Sequence, residues 1–487
     1  MASKQQGLAT VDQRTYGQWR AGKKAGLFGL GPVTSGIGFA VVAAALLAMM
    51  FSRLAALILL LLGVAVLAPL AIRIRGRTGA HAVAARLAWW RQKRRRRHIY
   101  IAGIASRVVG TYRLPGTLAT SHIITAEDGR GSDVGIVAIP STRDYSITFA
   151  AHSEGTDLVD TDVIDSRVSR MAAWLSSLTR QFWLVQAQVT IETAPDPGTK
   201  LRSEIFSTLK PEAPSLAQEV MEQIADTYSA GAAQVKFFVT LTFRPPLGRR
   251  WNDDAVATEL MARLPHMQAA LVGTGAVGIQ PMSAAEIMYQ LRSSLDPVSE
   301  VQPPQKGWAW DDIGPVSAIE HWDSYQHDRA WSRSWGMVEA PRGNVFATTF
   351  ARLADPDPDL LRKRVSLVYH PYSPGQAARL VEADKRDAQF NINKKARPSS
   401  RDLRDLAAAE QSAAEEAAGA GITSFSILAT ATTATQAELE DATTTMAARS
   451  GEARVDLRVM TGSQATSFYA TLPVGIVLPD HATVPSL

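Results

Sequence analysis

Cysteine is absent from the 487 residues of this chain. Disulfide bonds, thiolate catalysis and cysteine-ligated zinc or iron–sulfur centres are therefore excluded, and the fold does not depend on an oxidising compartment. Acidic residues are scarce in residues 1–97, where Asp12 stands against 16 Lys and Arg. A nucleic-acid-binding protein usually spreads positive charge over the face that meets the phosphates, so this uneven distribution argues against that class.

Complete catalytic motifs are also missing from the sequence. Residues 17–24 approach the P-loop GxxxxGK[ST], but Lys24 stands where the motif needs a hydroxyl, and no hydrophobic strand precedes it. Residues 273–278 match GxGxxG, yet they follow a segment with helical character, so we interpret them as a helix-to-strand turn. The aspartates of residues 355–359 alternate with prolines and lack the glycine of a calcium loop. We therefore expect no enzymatic activity, no cofactor and no metal site.

Charge is missing from two apolar segments near the start of the chain. Residues 33–51 and 54–72 each comprise 19 residues without a charged side chain, separated by Ser52 and Arg53. As a helix, each would span about 28 Å, close to the roughly 30 Å hydrocarbon core of a bilayer. The pattern predicts a transmembrane helical hairpin. Basic residues flank both outer ends, so we expect a multi-pass protein of the inner (cytoplasmic) membrane with both termini in the cytoplasm.

A run of cations follows the hairpin, at residues 91–97, directly after a pair of tryptophans. Indoles at the interface and cations near anionic headgroups are typical of a helix on a membrane surface. The predicted membrane-anchor residues are Arg73, Arg75, Arg77, Trp89, Trp90, Arg94, Arg95, Arg96 and Arg97. Two alternatives stay open for the arginine run: contact with DNA or RNA, and a solvated linker.

The remainder of the chain alternates between strand and helix patterns. This predicts an α+β class, in which cytoplasmic mixed α/β domains are built from repeated strand–helix–strand units. We divide the chain into residues 1–97, a first unit at 98–300 and a second unit at 301–487. The predicted strands include residues 182–193, 234–244, 345–350, 364–369, 423–429 and 453–460, and the predicted helices include residues 162–179, 375–387 and 435–449. The tryptophan-rich residues 307–337 are expected to be a packed loop or a partner surface.

Several segments carry a resemblance to a known family. The closing element with Phe468, Tyr469, Leu472 and Pro473, the extended QVKFFVTLTFRPP and the segment RVSLVYHPYSPGQAARLVEA resemble the amino-terminal, non-motor region of the conjugation ATPases of type IV secretion systems. The apolar hairpin resembles the small two-helix membrane subunit that is sometimes fused ahead of these ATPases. The combination is similar to membrane-anchored conjugation proteins of actinobacteria. Fourteen residues follow Pro473 and they contain no Walker motif, so the resemblance does not carry over ATPase activity.

The resemblance implies a membrane-anchored scaffold of a type IV secretion or conjugation-like apparatus. Its expected partners are membrane lipid, a separate P-loop ATPase, other channel subunits and further copies of the chain. Phe468, Tyr469, Leu472 and Pro473 are the predicted docking residues for the ATPase, although packing within the chain would also explain them. The alternatives are a membrane component of a type VII secretion system and a membrane-tethered, DNA-binding conjugation protein.

Overall fold

A 13-stranded sheet dominates the structure, a computed structural model. The residues described are 32–71, 73–74, 77–103, 106, 111–153, 159–196, 199–208, 213–227, 233–248, 251–298, 308–341, 349–394 and 397–481. The strands are β1 (Arg73–Ile74), β2 (Arg77–Thr78), β3 (Ile99–Ile101), β4 (His122–Glu127), β5 (Asp133–Ile139), β6 (Asp144–Ser153), β7 (Leu184–Pro195), β8 (Ala233–Phe243), β9 (Ala276–Pro281), β10 (Ser317–Glu320), β11 (Tyr325–His327), β12 (Ala330–Glu339), β13 (Arg362–Pro371), β14 (Thr423–Thr433) and β15 (Asp456–Val459). The first two pair only with each other, and the other thirteen form the large sheet.

Helices connect most of these strands. The α-helices are α1 (Pro32–Met49), α2 (Arg53–Ala71), α3 (Gly79–Arg94), α4 (Thr161–Leu178), α5 (Thr199–Thr208), α6 (Ser215–Thr227), α7 (Asp253–Leu271), α8 (Ala284–Leu295), α9 (Ala351–Ala354), α10 (Pro374–Asn393), α11 (Ser400–Ala417), α12 (Gln436–Glu452) and α13 (Gln464–Ala470). Several begin at a side-chain cap. Ser283 and Glu286 form a capping box at α8, and Asn252 accepts a hydrogen bond from the Ala255 amide at α7, so polar residues at these positions fix where the helices start.

Two consecutive parts of the chain have the same topology. The first runs β6, α4, β7, α5, α6, β8, α7, β9, α8, and the second runs β12, α9, β13, α10, α11, β14, α12, β15, α13. Their strands lie in the equivalent orders β7-β8-β6-β9 and β13-β14-β12-β15, and β7 pairs antiparallel with β13 at the centre. The arrangement is that of two repeats related by an approximate twofold axis between β7 and β13, and it joins both repeats in one sheet.

The sheet is buried on both faces. Along β5, Val134 and Ile136 pack in the core formed with α4 and α7, whereas Val137 and Ile139 pack in the core formed with α8 and α13. Alternate residues of a strand point to opposite faces, so the two cores lie on the two sides of the sheet. A third core lies under α9 and α12 of the second repeat.

Residues 470–476 cross one face of the sheet as an irregular segment held by side-chain hydrogen bonds. Ser146 and Thr148 donate to the carbonyl oxygens of Val474 and Pro473, at 2.9 and 3.0 Å. Gln186, Gln188 and Thr242 donate to the carbonyl oxygens of Ile476, Ala470 and Gly475. A polar stripe on β6, β7 and β8 therefore supplies the partners that this backbone needs when it is buried.

The predicted transmembrane hairpin is corrected by the structure. Both apolar segments are helical, as α1 and α2, and the two helices contact each other. Within the ranges described above, however, no helix is both long enough and apolar enough to cross a membrane. The predictions of a multi-pass membrane protein and of inner-membrane localisation are therefore wrong.

The predicted fold class is also corrected, from strand–helix–strand units behind a membrane hairpin to an α+β fold with one large antiparallel sheet. All pairings between the named strands are antiparallel. In each repeat a pair of helices, α5–α6 or α10–α11, links two neighbouring strands. Two successive helices bring the chain back to the end of the sheet where the previous strand ended, so the next strand runs antiparallel beside that strand.

The tryptophan-rich residues 307–337 contribute β10, β11 and most of β12 rather than a loop, and the predicted strand at 345–350 falls largely outside the described residues.

Candidate ligand-binding pocket

A pocket with a volume of about 580 Å³ lies between α3 and the sheet. Its walls come from α3, from β10 and β11, from the turn after β15, and from residues 478–481. Trp89, Tyr100 and Tyr325 provide aromatic surface, and Glu320 provides a carboxylate. Pockets of this size, mainly apolar with a few polar groups, are typical sites for small molecules.

Aromatic contacts hold α3 over the pocket. The Trp89 ring packs edge-on against Trp322, with 5.9 Å between the ring centres, and against His98 at 6.1 Å. The guanidinium carbon of Arg86 lies 4.9 Å from the centre of the Trp322 ring. Edge-to-face and cation–aromatic pairs of this kind stabilise a contact beyond the apolar area that they bury. Trp322 is thus the point at which α3 attaches to the sheet.

Glu320, the last residue of β10, forms hydrogen bonds with both α3 and α13 at the pocket. One carboxylate oxygen accepts a hydrogen bond from the Gln92 side chain of α3 at 3.0 Å, and the other accepts from the Ala465 amide at the start of α13 at 3.1 Å. Burial raises the pKa of Glu320, although these donors favour its ionised form. The carboxylate therefore caps α13 and orients Gln92, and its remaining lone pairs are available to a donor in the pocket.

Three further side chains that line the pocket carry a buried polar atom without a hydrogen-bond partner in the described part of the chain. They are Nδ1 of His98, Oγ1 of Thr117 and Nε2 of His481. Burial lowers the pKa of His98, as do nearby Lys93 and His321. Burial also lowers the pKa of His481. Both imidazoles are therefore neutral near pH 7, and a rotation toward a ligand would gain a hydrogen bond without breaking one.

The hydroxyl groups of the two tyrosines in the pocket are already engaged. Tyr100 donates to the carbonyl oxygen of Arg113, and Tyr325 shares a hydrogen bond of 3.2 Å with Tyr469. Burial raises the pKa of both Tyr100 and Tyr325. These rings therefore serve as rigid neutral walls, and Glu320, His98, Thr117 and His481 are, with Arg97, among the polar groups that can recognise a ligand.

The residues predicted as a membrane anchor are separated by the structure. Trp89 is half-buried against the sheet, whereas Trp90 is exposed with the Arg94 guanidinium 5.4 Å from its ring centre. The side chains of Arg94, Arg95, Arg96 and Arg97 are exposed, and Arg97 lines the pocket. In the β1–β2 ladder Arg73 pairs with Thr78 and Arg77 pairs with Ile74, and Arg75 lies outside the described residues.

The residues predicted to dock an ATPase lie inside the protein. Phe468, Tyr469 and Leu472 are at most 1% exposed and belong to the core beneath α8 and α13. Pro473 is buried as well, with its carbonyl oxygen bonded to Thr148. A partner could reach these side chains only after residues 464–477 left the sheet.

The motifs weighed in the sequence have structural positions. Residues 273–278 join α7 to β9, in agreement with the predicted helix-to-strand turn. Asp357 forms ion pairs with Lys363 and Arg449, so this aspartate serves the fold. Across the described ranges, no cluster of three or more His, Asp or Glu side chains could hold a metal ion.

Comparison with known protein families gives a match near the start of the chain. Residues 23–81 match a domain of unknown function, DUF8461. The match covers α1, α2 and the first residues of α3. No curated protein matches the chain. The match gives no family evidence for secretion or conjugation, and neither comparison tests the predicted resemblance to the non-motor region of the conjugation ATPases, which stays a prediction.

Proposed function

We propose that this chain is a ligand-binding protein whose pocket beneath α3 receives a small, mainly apolar molecule that carries hydrogen-bond donors. The observation that carries the proposal is the convergence of three aromatic walls, Trp89, Tyr100 and Tyr325, around the partly buried carboxylate of Glu320. Aromatic faces and a carboxylate together attract an organic cation or an amine.

The contacts of Glu320 and His98 support binding rather than catalysis. Both oxygens of Glu320 accept hydrogen bonds from the protein, which orients the carboxylate for recognition of a ligand. His98 and Glu320 have separate roles, since His98 packs on Trp89 and Glu320 caps α13. These contacts support recognition of a ligand by a preformed site.

Titration calorimetry with three matched probes tests the proposal. Tryptamine, indole and indole-3-propionate share one ring and differ in charge, and we expect affinity for the full-length chain to fall in that order. The variant Ala88→Phe places a ring in the pocket and should abolish binding, whereas Ala82→Phe on the exposed side of α3 should not. Equal affinity for all three probes, or binding that survives Ala88→Phe, would refute the site.

A second candidate function is the docking of a partner protein, the role inferred from the resemblance to non-motor regions of ATPases. It is favoured by α6, where Leu216, Val220 and Ile224 are 70%, 46% and 40% exposed. Residues four apart lie on one helix face, so these side chains form an apolar stripe, flanked by exposed Glu219 and Glu222. The stripe suits a partner helix with an apolar face and basic flanks, and a separate P-loop ATPase is the proposed source.

A charge placed on this stripe tests the docking hypothesis. Val220→Glu should abolish co-purification of an ATPase from the native host, because a carboxylate would be buried at the contact. Gln218→Glu adds the same charge on the opposite face of the same helix and should leave co-purification unchanged. Retention of the partner by the Val220 variant would exclude α6 as the docking surface.

A further inference from the structure

The candidate pocket is bordered by two side chains of opposite charge, Glu320 and Arg97. The other described residues of its lining are uncharged or are histidines, His98 and His481, whose pKa values are lowered by burial. A carboxylate alone would be enough to recognise an amine. The guanidinium of Arg97 is therefore a feature of the pocket that the binding of an amine does not explain.

The backbone holds Arg97 and Glu320 at neighbouring positions of the sheet. Strand β3 pairs antiparallel with β10, and Ile99 lies opposite Ile319. The amide of Glu320 donates to the carbonyl oxygen of His98 at 2.9 Å, which continues this ladder by one residue. Arg97 directly precedes His98, and consecutive Cα atoms lie about 3.8 Å apart. The long side chain of Arg97 thus starts close to Glu320 and can reach a ligand bound there.

The two charges do not neutralise each other. Burial raises the pKa of Glu320, and the groups that favour its ionised form are the neutral donors of Ala465, Gln92 and Gln464. Among the described residues, no ion pair or hydrogen bond joins Arg97 to Glu320, and Arg97 is exposed to solvent at the pocket. A carboxylate and a guanidinium that border one volume without pairing can each bind a ligand group of the opposite sign.

Aromatic surface lies directly beside the carboxylate. Tyr325 stands opposite Glu320 in the β10–β11 ladder, and side chains opposite each other in an antiparallel pair are close neighbours. Trp89 and Tyr100 line the same volume of about 580 Å³. A ligand with its ammonium group on Glu320 would therefore have its carbon skeleton against ring surfaces, which favours an aromatic side chain.

We propose that the ligand is an aromatic amino acid, whose ammonium group binds Glu320 and whose carboxylate binds Arg97. This inference rests on the proposed function, because it assigns a ligand class to the same pocket. The ammonium and carboxylate groups of an amino acid are attached to one carbon atom, so both meet the protein at the same end of the molecule. The ring is then left to the three aromatic walls.

The carboxylate of such a ligand also removes an unfavourable interaction. An amine without a carboxylate would bring a second cation near Arg97, and like charges repel. A carboxylate on the ligand replaces that repulsion by an ion pair with the guanidinium, which can form two parallel hydrogen bonds to it. The amino acid should therefore bind more tightly than the amine with the same ring.

Titration calorimetry on the full-length chain at pH 7 tests this class with L-tryptophan, tryptamine and N-acetyl-L-tryptophan at one ionic strength. Tryptamine lacks the carboxylate, and N-acetyl-L-tryptophan lacks the ammonium group. We expect L-tryptophan to bind about fivefold more tightly than tryptamine, the scale of one partly exposed ion pair. N-acetyl-L-tryptophan should bind most weakly, because nothing on it would pair with Glu320.

Arg97→Gln should remove the advantage of L-tryptophan and leave the affinity for tryptamine unchanged or higher. The matched control is Arg95→Gln, which removes an exposed arginine of the same run that does not line the pocket and should keep the fivefold difference. Both substitutions are at exposed positions, so both variants should unfold at the unsubstituted temperature.

The outcomes separate this inference from the proposed function. If tryptamine binds at least as tightly as L-tryptophan, or if the Arg97 and Arg95 variants change the affinity for L-tryptophan equally, the amino-acid class is wrong and the amine site remains. If none of the three probes binds, or if N-acetyl-L-tryptophan binds as tightly as L-tryptophan, both the inference and the proposed function are wrong.

Discussion

The guanidinium carbon of Arg364 lies 4.6 Å from the centre of the Phe468 ring, and both side chains are fully buried. None of the three guanidinium nitrogens has a hydrogen-bond partner within the described structure. Burial lowers the pKa of Arg364 to about 9, despite the nearby carboxylate of Glu192. The cation is therefore poorly compensated, since the attraction of one aromatic face does not replace several hydrogen bonds.

Arg364→Met is expected to raise the free energy of unfolding by about 1 kcal/mol. Methionine fills most of the same volume against Phe468 and removes donors whose burial without partners costs about 1–3 kcal/mol. Urea denaturation at pH 7 measures the change, and a variant less stable than the unsubstituted chain would contradict it.

The neighbouring Arg362 provides the matched comparison. Its Nη1 atom lies 2.5 Å from a carboxylate oxygen of Glu192, which is 2% exposed. Arg362→Met would leave that carboxylate without its closest cation, and removal of one partner of a buried pair costs about 3 kcal/mol or more. The two arginine variants should thus change stability in opposite directions.

Acid should destabilise the protein through His327. This histidine is fully buried, with Nδ1 2.6 Å from the carbonyl oxygen of Leu295 and Nε2 2.8 Å from the hydroxyl of Ser332. Burial lowers its pKa to about 4. Between pH 6.5 and 4 the unfolded state then binds more protons than the folded state. Lowering the pH through this range therefore reduces the free energy of unfolding, and His327 accounts for about 3 kcal/mol of that loss.

His327→Gln tests the assignment, because glutamine keeps a polar side chain without titrating. Denaturation curves at pH 7, 5.5 and 4 should show that this variant loses about 3 kcal/mol less than the unsubstituted chain. The exposed His152→Gln is the control and should follow the unsubstituted curve. If His327→Gln follows that curve too, His327 does not govern the acid response.

Local patterns in the sequence predicted individual elements better than their assembly. The alternating apolar residues of β7 and β8 and the periodic residues of α4 and α10 gave elements close to those observed. The antiparallel sheet was missed, because an alternation of strands and helices is shared by parallel crossovers and by the two-helix connections α5–α6 and α10–α11. Hydropathy predicted that α1 and α2 cross a membrane, whereas no helix in the described ranges is both long enough and apolar enough to do so.

The candidate pocket could not be predicted from the sequence, because its residues have no shared local pattern. His98, Glu320 and His481 come from distant parts of the chain and meet only when α3 and residues 478–481 fold onto the sheet. The pocket therefore depends on contacts between residues that are distant in the sequence.

Gly475→Ala is expected to destabilise the protein by at least about 2 kcal/mol. Gly475 has a φ of +73°, and a Cβ there would lie 2.4 Å from Cβ of Ser146 and 2.5 Å from Oγ1 of Thr242. The added methyl group would both strain the backbone and push residues 470–476 off the polar stripe. Thermal unfolding measures the loss, and hydrogen exchange should show faster exchange in these residues.

A control for this substitution exists in α10. Gly375 lies in the first turn of that helix, and an added Cβ would meet nothing within 4 Å. Alanine favours the helix over glycine, so Gly375→Ala should keep or slightly raise the melting temperature. A similar loss in both glycine variants would show that contact with the sheet is not the cause.

Trp322→Ala should release α3 from the sheet and open the candidate pocket. Trp322 contacts both Trp89 and Arg86, and its removal eliminates the edge-to-face and cation–aromatic pairs that hold the helix. Such pairs contribute about 0.5–1.5 kcal/mol each, so amide exchange in residues 82–92 should accelerate about tenfold while exchange in β7 and β13 stays constant. Tryptamine affinity should weaken in parallel, because Trp89 would no longer be held as a wall of the pocket.

Trp331→Ala is the matched control, since Trp331 stacks on His321 with 5.1 Å between ring centres and makes no ring contact with α3 in the described structure. Unchanged exchange in α3 after loss of Trp322 would mean that Gln92 and Glu320 suffice to hold the helix.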